Sequence, residues 1–70
     1  MQVFTPSDIG IAIRLRRKEL GLTQIELAER VGVGITYLSN IENGKETAEI
    51  GKALHILSML GLNMYVEERV

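Results

Sequence analysis

Residues 23–45 constrain the fold most, because this stretch contains the start and stop signals of two short helices. Thr23 is a good N-cap residue, and Glu26, three positions later, completes a capping box. Gly32 suits the left-handed residue that commonly ends a helix. The stretch therefore predicts a helix, a turn of about three or four residues and a second helix.

The second helix is predicted from Gly34 or Ile35 to the stop signal Asn43-Gly44. The small side chain of Ala28 allows the two helices to cross closely. The inward apolar positions are Leu27, Val31, Val33, Leu38 and Ile41. The outward positions are Gln24, Ile35, Thr36, Tyr37 and Asn40. This helix-turn-helix pattern favours sequence-specific DNA binding, and an ordinary helical hairpin is the alternative.

A longer helix is predicted before this pair. Thr5 is its N-cap, Pro6 takes the first helical position and Asp8 lies in the first turn. The helix runs to Leu20 and ends at Gly21, with Ile9, Ile13 and Leu20 assigned to its inward face. Gly10 lowers helix stability by about 1 kcal/mol relative to alanine. Its presence indicates that another element packs closely against this position.

A fourth helix is predicted from Thr47 to about Leu60, with Ile50, Ala53, Leu54, Leu57 and Leu60 on its inward face. Residues 62–68 then alternate apolar and more polar side chains, which predicts a short β-strand. A lone strand cannot satisfy its own backbone. The strand is therefore expected to pair with residues 2–4, with its symmetry mate or with both, and a frayed tail is the alternative.

Length and composition limit the class of protein. The 70 residues allow one domain, 1–70, and contain no cysteine that could cross-link a small core. Dimerisation is favoured because so short a chain buries little apolar surface alone. No apolar run approaches the roughly 20 residues that span a bilayer. The N-terminus also lacks the basic region of a signal peptide, so a cytoplasmic protein without a membrane partner is expected.

Catalytic chemistry is not indicated. His55 is the single histidine, and no nucleophile–base set or metal-ligand spacing accompanies it. We expect no enzyme activity, no cofactor and no metal. The net charge of −1 is unusual for a DNA-binding domain. However, basic residues cluster near the end of the first helix and after the helix-turn-helix, at Arg14, Arg16, Arg17, Lys18 and Lys45.

The segments LGLTQIELAERVGVG and LSNIENGK resemble the Cro/C1-type (XRE) helix-turn-helix repressor family. The resemblance covers roughly residues 9–62. The TPSD start, the stretch TAEIGKALHILSMLGL and the tail are similar to HipB-type antitoxins, which pair with HipA-type kinase toxins. The resemblance implies an all-α, lambda-repressor-like DNA-binding domain of four to five helices. A short C-terminal β-strand would pair across a dimer.

The resemblance also implies roles for individual residues. The second helix of the motif would enter the major groove of double-stranded DNA. The positions that match the family's base-reading residues are Ile35, Thr36, Tyr37 and Asn40. Phosphate contacts are expected at Thr23, Gln24, Asn43 and Lys45. Because no arginine occupies the base-reading positions, A/T-leaning or shape-assisted recognition is predicted.

Glu42 is predicted to pair with Arg17. A carboxylate near a helix C-terminus is disfavoured by the helix dipole and needs a partner if it is buried. In the family that the chain resembles, the arginine aligned with Arg17 pairs with this glutamate and supports the reading helix. Arg17 is therefore interpreted as structural, although it lies in a basic cluster.

Apolar residues off the inward faces predict contact surfaces. The homodimer interface is assigned to Ile56, Met59, Leu62, Met64 and Val66. Ile11 and Leu15 are assigned to a protein partner such as a toxin, and an ordinary surface with isolated exposed apolar residues is the alternative.

The resemblance implies a homodimeric transcriptional regulator that binds an inverted-repeat operator. The HipB-like features imply an antitoxin that represses its own operon and binds a HipA-like kinase toxin. One alternative is a solitary or phage-type repressor without a toxin. The other is a protein-interaction module that has lost DNA readout, which the acidic balance and the apolar reading residues favour somewhat.

Overall fold

A computed structural model describes residues 1–70 and contains four α-helices. They are α1 (Pro6–Glu19), α2 (Gln24–Val31), α3 (Ile35–Glu42) and α4 (Ile50–Met59). α3 packs on α1 and α2, and α4 packs against α1 and α2. None of the four helices combines the length and apolar character needed to cross a membrane.

Both of the first two helices begin with a capping box, which the sequence analysis predicts for α2 and only as an N-cap at Thr5 for α1. The Thr5 hydroxyl accepts a hydrogen bond from the Asp8 amide, and Asp8 accepts from the amides of Phe4 and Thr5 at 2.9 and 3.1 Å. The pKa of Asp8 is lowered, chiefly by the bond from the Phe4 amide. Thr23 and Glu26 make the same reciprocal exchange, with both bonds at 3.1 Å. Local chemistry therefore defines both helix starts.

Ten buried apolar side chains form the core: Ile13, Leu27, Ala28, Val31, Leu38, Ile41, Ala53, Ile56, Leu57 and Leu60. α1 approaches α3 most closely at Gly10. A Cβ added there would lie 2.6 Å from the Glu42 carbonyl oxygen and would also overlap that of Ile41. The predicted close packing at Gly10 is confirmed. Gly32 ends α2 in the left-handed conformation, at φ 76°, as predicted.

The inward face of α4 differs from the prediction. Ile56 is fully buried, whereas Ile50 and Leu54 are 59% and 46% exposed. Ile56 therefore belongs to the core, and its assignment to a dimer surface is wrong for this fold. α4 is apolar around most of its circumference. The spacing of its apolar residues therefore does not show whether the side with Ile50 and Leu54 or the side with Ile56 is buried. Leu20, which is 47% exposed, was likewise misassigned inward.

One helix boundary and one predicted strand also differ. α4 begins at Ile50 after a turn, rather than at Thr47. The structure contains no β-strand, so the strand predicted over residues 62–68 is not supported. Residues 2–4 and the C-terminal segment line a common groove, yet they form no ladder. Beyond Leu62, whose amide donates to the Leu57 carbonyl at 3.0 Å, the tail is exposed.

Candidate nucleic-acid interface

Helix α3 presents a polar stripe to solvent. Its buried side is formed by Leu38, Ile41 and Glu42. On the opposite side, helical spacing aligns Thr36, Ser39, Asn40 and Asn43, which we call the outward stripe. Thr36 and Asn43 are exposed, and the other two are half-buried. Ile35 flanks the stripe and is 42% exposed. The stripe offers hydroxyl and amide groups that can donate or accept hydrogen bonds.

Ser39 was not predicted as part of this stripe. A serine inside a helix often bonds its own backbone, but the Ser39 hydroxyl makes no hydrogen bond within the protein. Ser39 lies three positions after Thr36 and four before Asn43, so it shares their face. That spacing was the available signal.

The starts of α2 and α3 offer backbone donors. In α2 the Thr23 side chain occupies the amide of Glu26, leaving those of Gln24 and Ile25 without an intrahelical partner. Gly34, the N-cap residue of α3, has no side chain that could accept a hydrogen bond. None of the first backbone amides of α3 therefore has a side-chain partner. Helix N-termini carry partial positive charge and bind anions. Both can therefore accept a negatively charged group such as a phosphate.

A buried ion pair supports α3 from behind. Arg17 Nε donates to Glu42 Oε2 at 2.8 Å, and Arg17 Nη2 donates to Glu42 Oε1 at 2.9 Å. Arg17 Nη1 also donates to the Leu22 carbonyl at 2.9 Å. The Glu42 hydrogen bond, opposed by burial, raises the pKa of Arg17. Arg17 and Glu42, which are predicted from the sequence to pair, thus fix α1, the α1–α2 turn and α3 to one another.

Gln24 joins the same network. Its Nε2 donates to Glu42 Oε1 at 3.2 Å, and the side chain is half-buried. One amide hydrogen and the amide oxygen remain available to a ligand. The ion pair therefore also orients the residue predicted to contact phosphate at the start of α2.

The turn after α3 is rigidly placed. The Lys45 amide donates to the Asn40 carbonyl at 3.1 Å, and Gly44 is left-handed at φ 79°. A Cβ on Gly44 would lie 2.8 Å from Ser7 Cα, so the start of α1 packs directly on this turn. The side chains of Asn43 and Lys45 are both exposed.

Tyr37 does not belong to the outward stripe. Its hydroxyl donates to the Glu49 carbonyl at 2.6 Å, and the Lys52 ammonium lies 5.3 Å from the ring centroid. Burial raises the pKa of Tyr37, and the nearby Glu49 charge adds to the effect. Tyr37 precedes the buried Ile41 by four residues and therefore shares its flank. The expectation that it faces a base edge overlooked this spacing.

The helix-turn-helix protein family matches residues 13–65. The chain belongs to this helix-turn-helix family. It is 46% identical over 63 residues to the uncharacterized HTH-type transcriptional regulator y4mF of Sinorhizobium fredii, covering 90% of this chain and 83% of the relative. It is 32% identical over 63 residues to antitoxin HipB of Escherichia coli strain K12, covering 90% and 72%.

A solved structure supports the same layout. A chain of the solved structure of the HipA-HipB-O2-O3 complex superposes with a TM-score of 0.85 and 29% identity, over 97% of this chain and 96% of that one. The resemblance to the XRE-type family and to the HipB layout is therefore confirmed.

Two of the apolar surfaces outside the helix-turn-helix contain the residues predicted to contact protein partners. On α1, Ile11 and Leu15 are 47% and 55% exposed. At the chain ends, an apolar groove of about 220 Å³ is lined by both termini, α1 and α4, and Leu62 and Met64 form part of its wall. Met59 and Val66 are exposed, whereas Leu62 is half-buried. Of the five residues assigned to the dimer, only Ile56 is withdrawn into the core.

Proposed function

We propose that this protein is a sequence-specific DNA-binding transcriptional regulator that acts as a homodimer and as a HipB-like antitoxin. One observation carries the DNA-binding part. The outward stripe of α3 is free of internal hydrogen bonds, while the opposite side of the helix is fixed by the buried Arg17–Glu42 pair. A polar face held rigidly on a short helix suits insertion into a major groove.

The chemistry of the stripe suggests what it reads. The Thr36 hydroxyl can donate or accept, and the Asn40 amide can bond adenine at two positions. Ile35 can pack against a thymine methyl group. No arginine stands in the stripe to bind guanine. We propose an A/T-leaning operator in which these three residues, joined by Ser39, supply the base contacts.

Phosphate contacts would set the position of the domain. We assign them to Thr23 and Gln24 at the start of α2, and to Asn43 and Lys45 after α3. The free amides of α2 and the oriented Gln24 side chain support the first contact. The exposed Lys45 on a fixed turn supports the second. Such contacts give affinity without sequence preference.

A second copy of the chain would cover the terminal groove. The groove is almost entirely apolar, and the neighbouring tail exposes Met64, Tyr65 and Val66. So small a protein gains stability when a partner buries such surface. We propose that Met59, Leu62, Met64 and Val66 form this interface. The dimer would place two α3 helices about 34 Å apart on an inverted repeat.

The antitoxin role is supported by the relatives. HipB is an antitoxin and occurs in a complex with HipA. We propose that Ile11 and Leu15 contribute to binding a HipA-like kinase toxin and that the protein represses its own operon. The net charge of −1 favours one other candidate, a protein-interaction module without DNA readout.

The DNA-binding proposal is tested by gel shift on an inverted-repeat fragment from upstream of the gene. Binding should weaken as salt rises. Asn40→Ala should lower operator affinity by about fivefold to a hundredfold, the worth of a good base contact. Ser58→Ala, an exposed polar change on α4, is the matched control. If the wild-type protein shifts no such fragment but binds a toxin, the interaction-module reading replaces this one.

The toxin contact is tested by co-purification with the product of a neighbouring kinase-like gene. Ile11→Glu combined with Leu15→Glu should abolish capture. Leu54→Glu is the control, because Leu54 is similarly exposed but lies on α4. If the variant with both α1 substitutions still co-purifies with the toxin, Ile11 and Leu15 do not contribute to toxin binding.

A further inference from the structure

We infer that Tyr37 is a positioning residue that holds the α3–α4 loop, residues 43–49, and through it Lys45, against the reading helix. The effect on DNA affinity rests on the proposed DNA-binding function. The contact between Tyr37 and the loop does not depend on that function. Tyr37 is on α3, yet its hydroxyl bonds outside that helix, to the Glu49 carbonyl at 2.6 Å.

The bond lies where the loop ends and α4 begins. The Glu49 carbonyl also accepts the Ala53 amide at 3.2 Å, which is the first hydrogen bond of α4. No side chain caps this helix. The tyrosine hydroxyl is therefore the side-chain hydrogen bond that connects the start of α4 to the helix-turn-helix at this point. The other polar contacts between α4 and the helix-turn-helix are the Lys52 ammonium over the Tyr37 ring and, further along α4, the His55 Nε2 bond to the Val31 carbonyl at 3.1 Å.

The other end of the loop is attached to the same helix. The amides of Gly44 and Lys45 donate to the carbonyls of Ile41 and Asn40, both at 3.1 Å. Within the loop, the Ala48 amide donates to the Lys45 carbonyl at 3.2 Å. α3 thus holds the loop at both ends. The position of the Lys45 backbone relative to the outward stripe depends on both attachments.

The ring and hydroxyl are both committed to this contact. Lys52 lies 5.3 Å from the ring centroid, and its ammonium is 3.8 Å from the Glu49 carboxylate. The hydroxyl is protonated at neutral pH, as in any tyrosine, and burial raises the pKa of Tyr37 further. The Tyr37 hydroxyl could donate its hydrogen bond to a base edge or a phosphate only if its bond to the Glu49 carbonyl broke.

The structural part is tested without DNA, using Tyr37→Phe, which keeps the ring. Amide hydrogen exchange of the wild-type protein and the variant is compared. Exchange at Ala48 and Ala53 should accelerate about threefold to tenfold, while the buried amide of Leu27 in α2 changes little. Unchanged exchange at both alanines would overturn the inference, whether or not the protein binds DNA.

The functional part is tested with a double-mutant cycle on the operator. If Tyr37 positions Lys45, then Lys45→Ala should cost less affinity in the Tyr37→Phe background than in the wild type. The relative affinities for single base-pair changes in the operator should stay the same. Additive losses would overturn the coupling between Tyr37 and Lys45. An altered preference at one base pair would show instead that Tyr37 contacts DNA itself. If the wild-type protein binds no operator, the proposed function is rejected. The hydrogen-exchange experiment then tests by itself whether Tyr37 holds the loop.

Discussion

The two helices of the helix-turn-helix begin in opposite ways. α2 starts at Thr23 with both halves of a capping box formed, whereas α3 starts at Gly34 with no side chain bonded to its first turn. The α2 capping box thus pairs the Thr23 and Glu26 amides and leaves those of Gln24 and Ile25 free, whereas no first-turn amide of α3 has a side-chain partner. α3 is held by contacts made further along the helix, through Leu38 and through Glu42 to Arg17.

This difference separates stability from function within one motif. A capped start stabilises a helix but uses amides that a ligand could bind. An open start stays available to a phosphate or a base, and the helix then needs support from elsewhere. The chain places the open start on the helix proposed to read DNA and supplies its support through a buried ion pair.

The largest expected effect comes from removing that support. Arg17→Ala should lower the free energy of unfolding by about 3–5 kcal/mol, because it leaves Glu42 buried without its partner. Urea denaturation measures the loss. Arg17→Met combined with Glu42→Leu should recover most of the stability, since no buried charge remains. A loss below about 1 kcal/mol for Arg17→Ala would mean that the pair behaves as an exposed one.

The start of α2 should be less sensitive. Thr23→Ala removes a side-chain acceptor for the Glu26 amide and should cost about 1 kcal/mol in the same assay. Thr47→Ala is a matched control, because Thr47 is exposed in the α3–α4 loop and its side chain makes no hydrogen bond in the structure. Equal effects at the two threonines would remove the contrast between the two helix starts.

The same contrast explains which features could be predicted from the sequence. The N-cap at Thr5, the capping box at Thr23 and the left-handed Gly32 are determined by neighbouring residues, so they could be predicted from sequence spacing. The Gly10 contact was also predictable, because glycine inside a helix is unfavourable unless a neighbour needs the space. The motif and three residues of the outward stripe, Thr36, Asn40 and Asn43, were also among the predicted positions, whereas Ser39 was not.

The failures occurred where distant packing decides. In α4, Ile50 and Leu54 form one apolar stripe, and Ala53, Ile56 and Leu60 form another. Only the positions of α1 and α2 determine which stripe is buried. The orientation of Tyr37 likewise depends on where the chain returns after α3. The tail alternates like a strand, but a ladder requires a partner that spacing cannot supply.

A cap can be added to α3 to sharpen the comparison. Gly34→Ser should stabilise the protein by only about a few tenths of a kcal/mol, because glycine is already tolerated at an N-cap. The backbone there has φ −70°, and a Cβ would meet no atom within 4 Å. If the open amides bind DNA, operator affinity should fall although stability rises. Calorimetry and gel shift measure the two quantities, and a parallel rise in both would contradict the proposed use of the open start.

The smallest expected effect concerns the pH dependence of the capped start. The pKa of Glu26 is lowered, chiefly by the hydrogen bond from the Thr23 amide. Since the folded state favours the charged carboxylate, its stabilising contribution is complete above the ordinary pKa of about 4.5 and is lost as pH falls through the lowered folded value. In the Glu26→Gln variant the side-chain oxygen can still accept a hydrogen bond from the Thr23 amide, but the side chain does not titrate. The urea midpoint of this variant should therefore decline less between about pH 5 and pH 3 than that of the wild type. Glu29→Gln, on the same helix but without a hydrogen bond to its carboxylate, should follow the wild-type curve. If the urea midpoints of Glu26→Gln and the wild type fall in parallel with pH, a neutral acceptor stabilises the capping box as well as the carboxylate does.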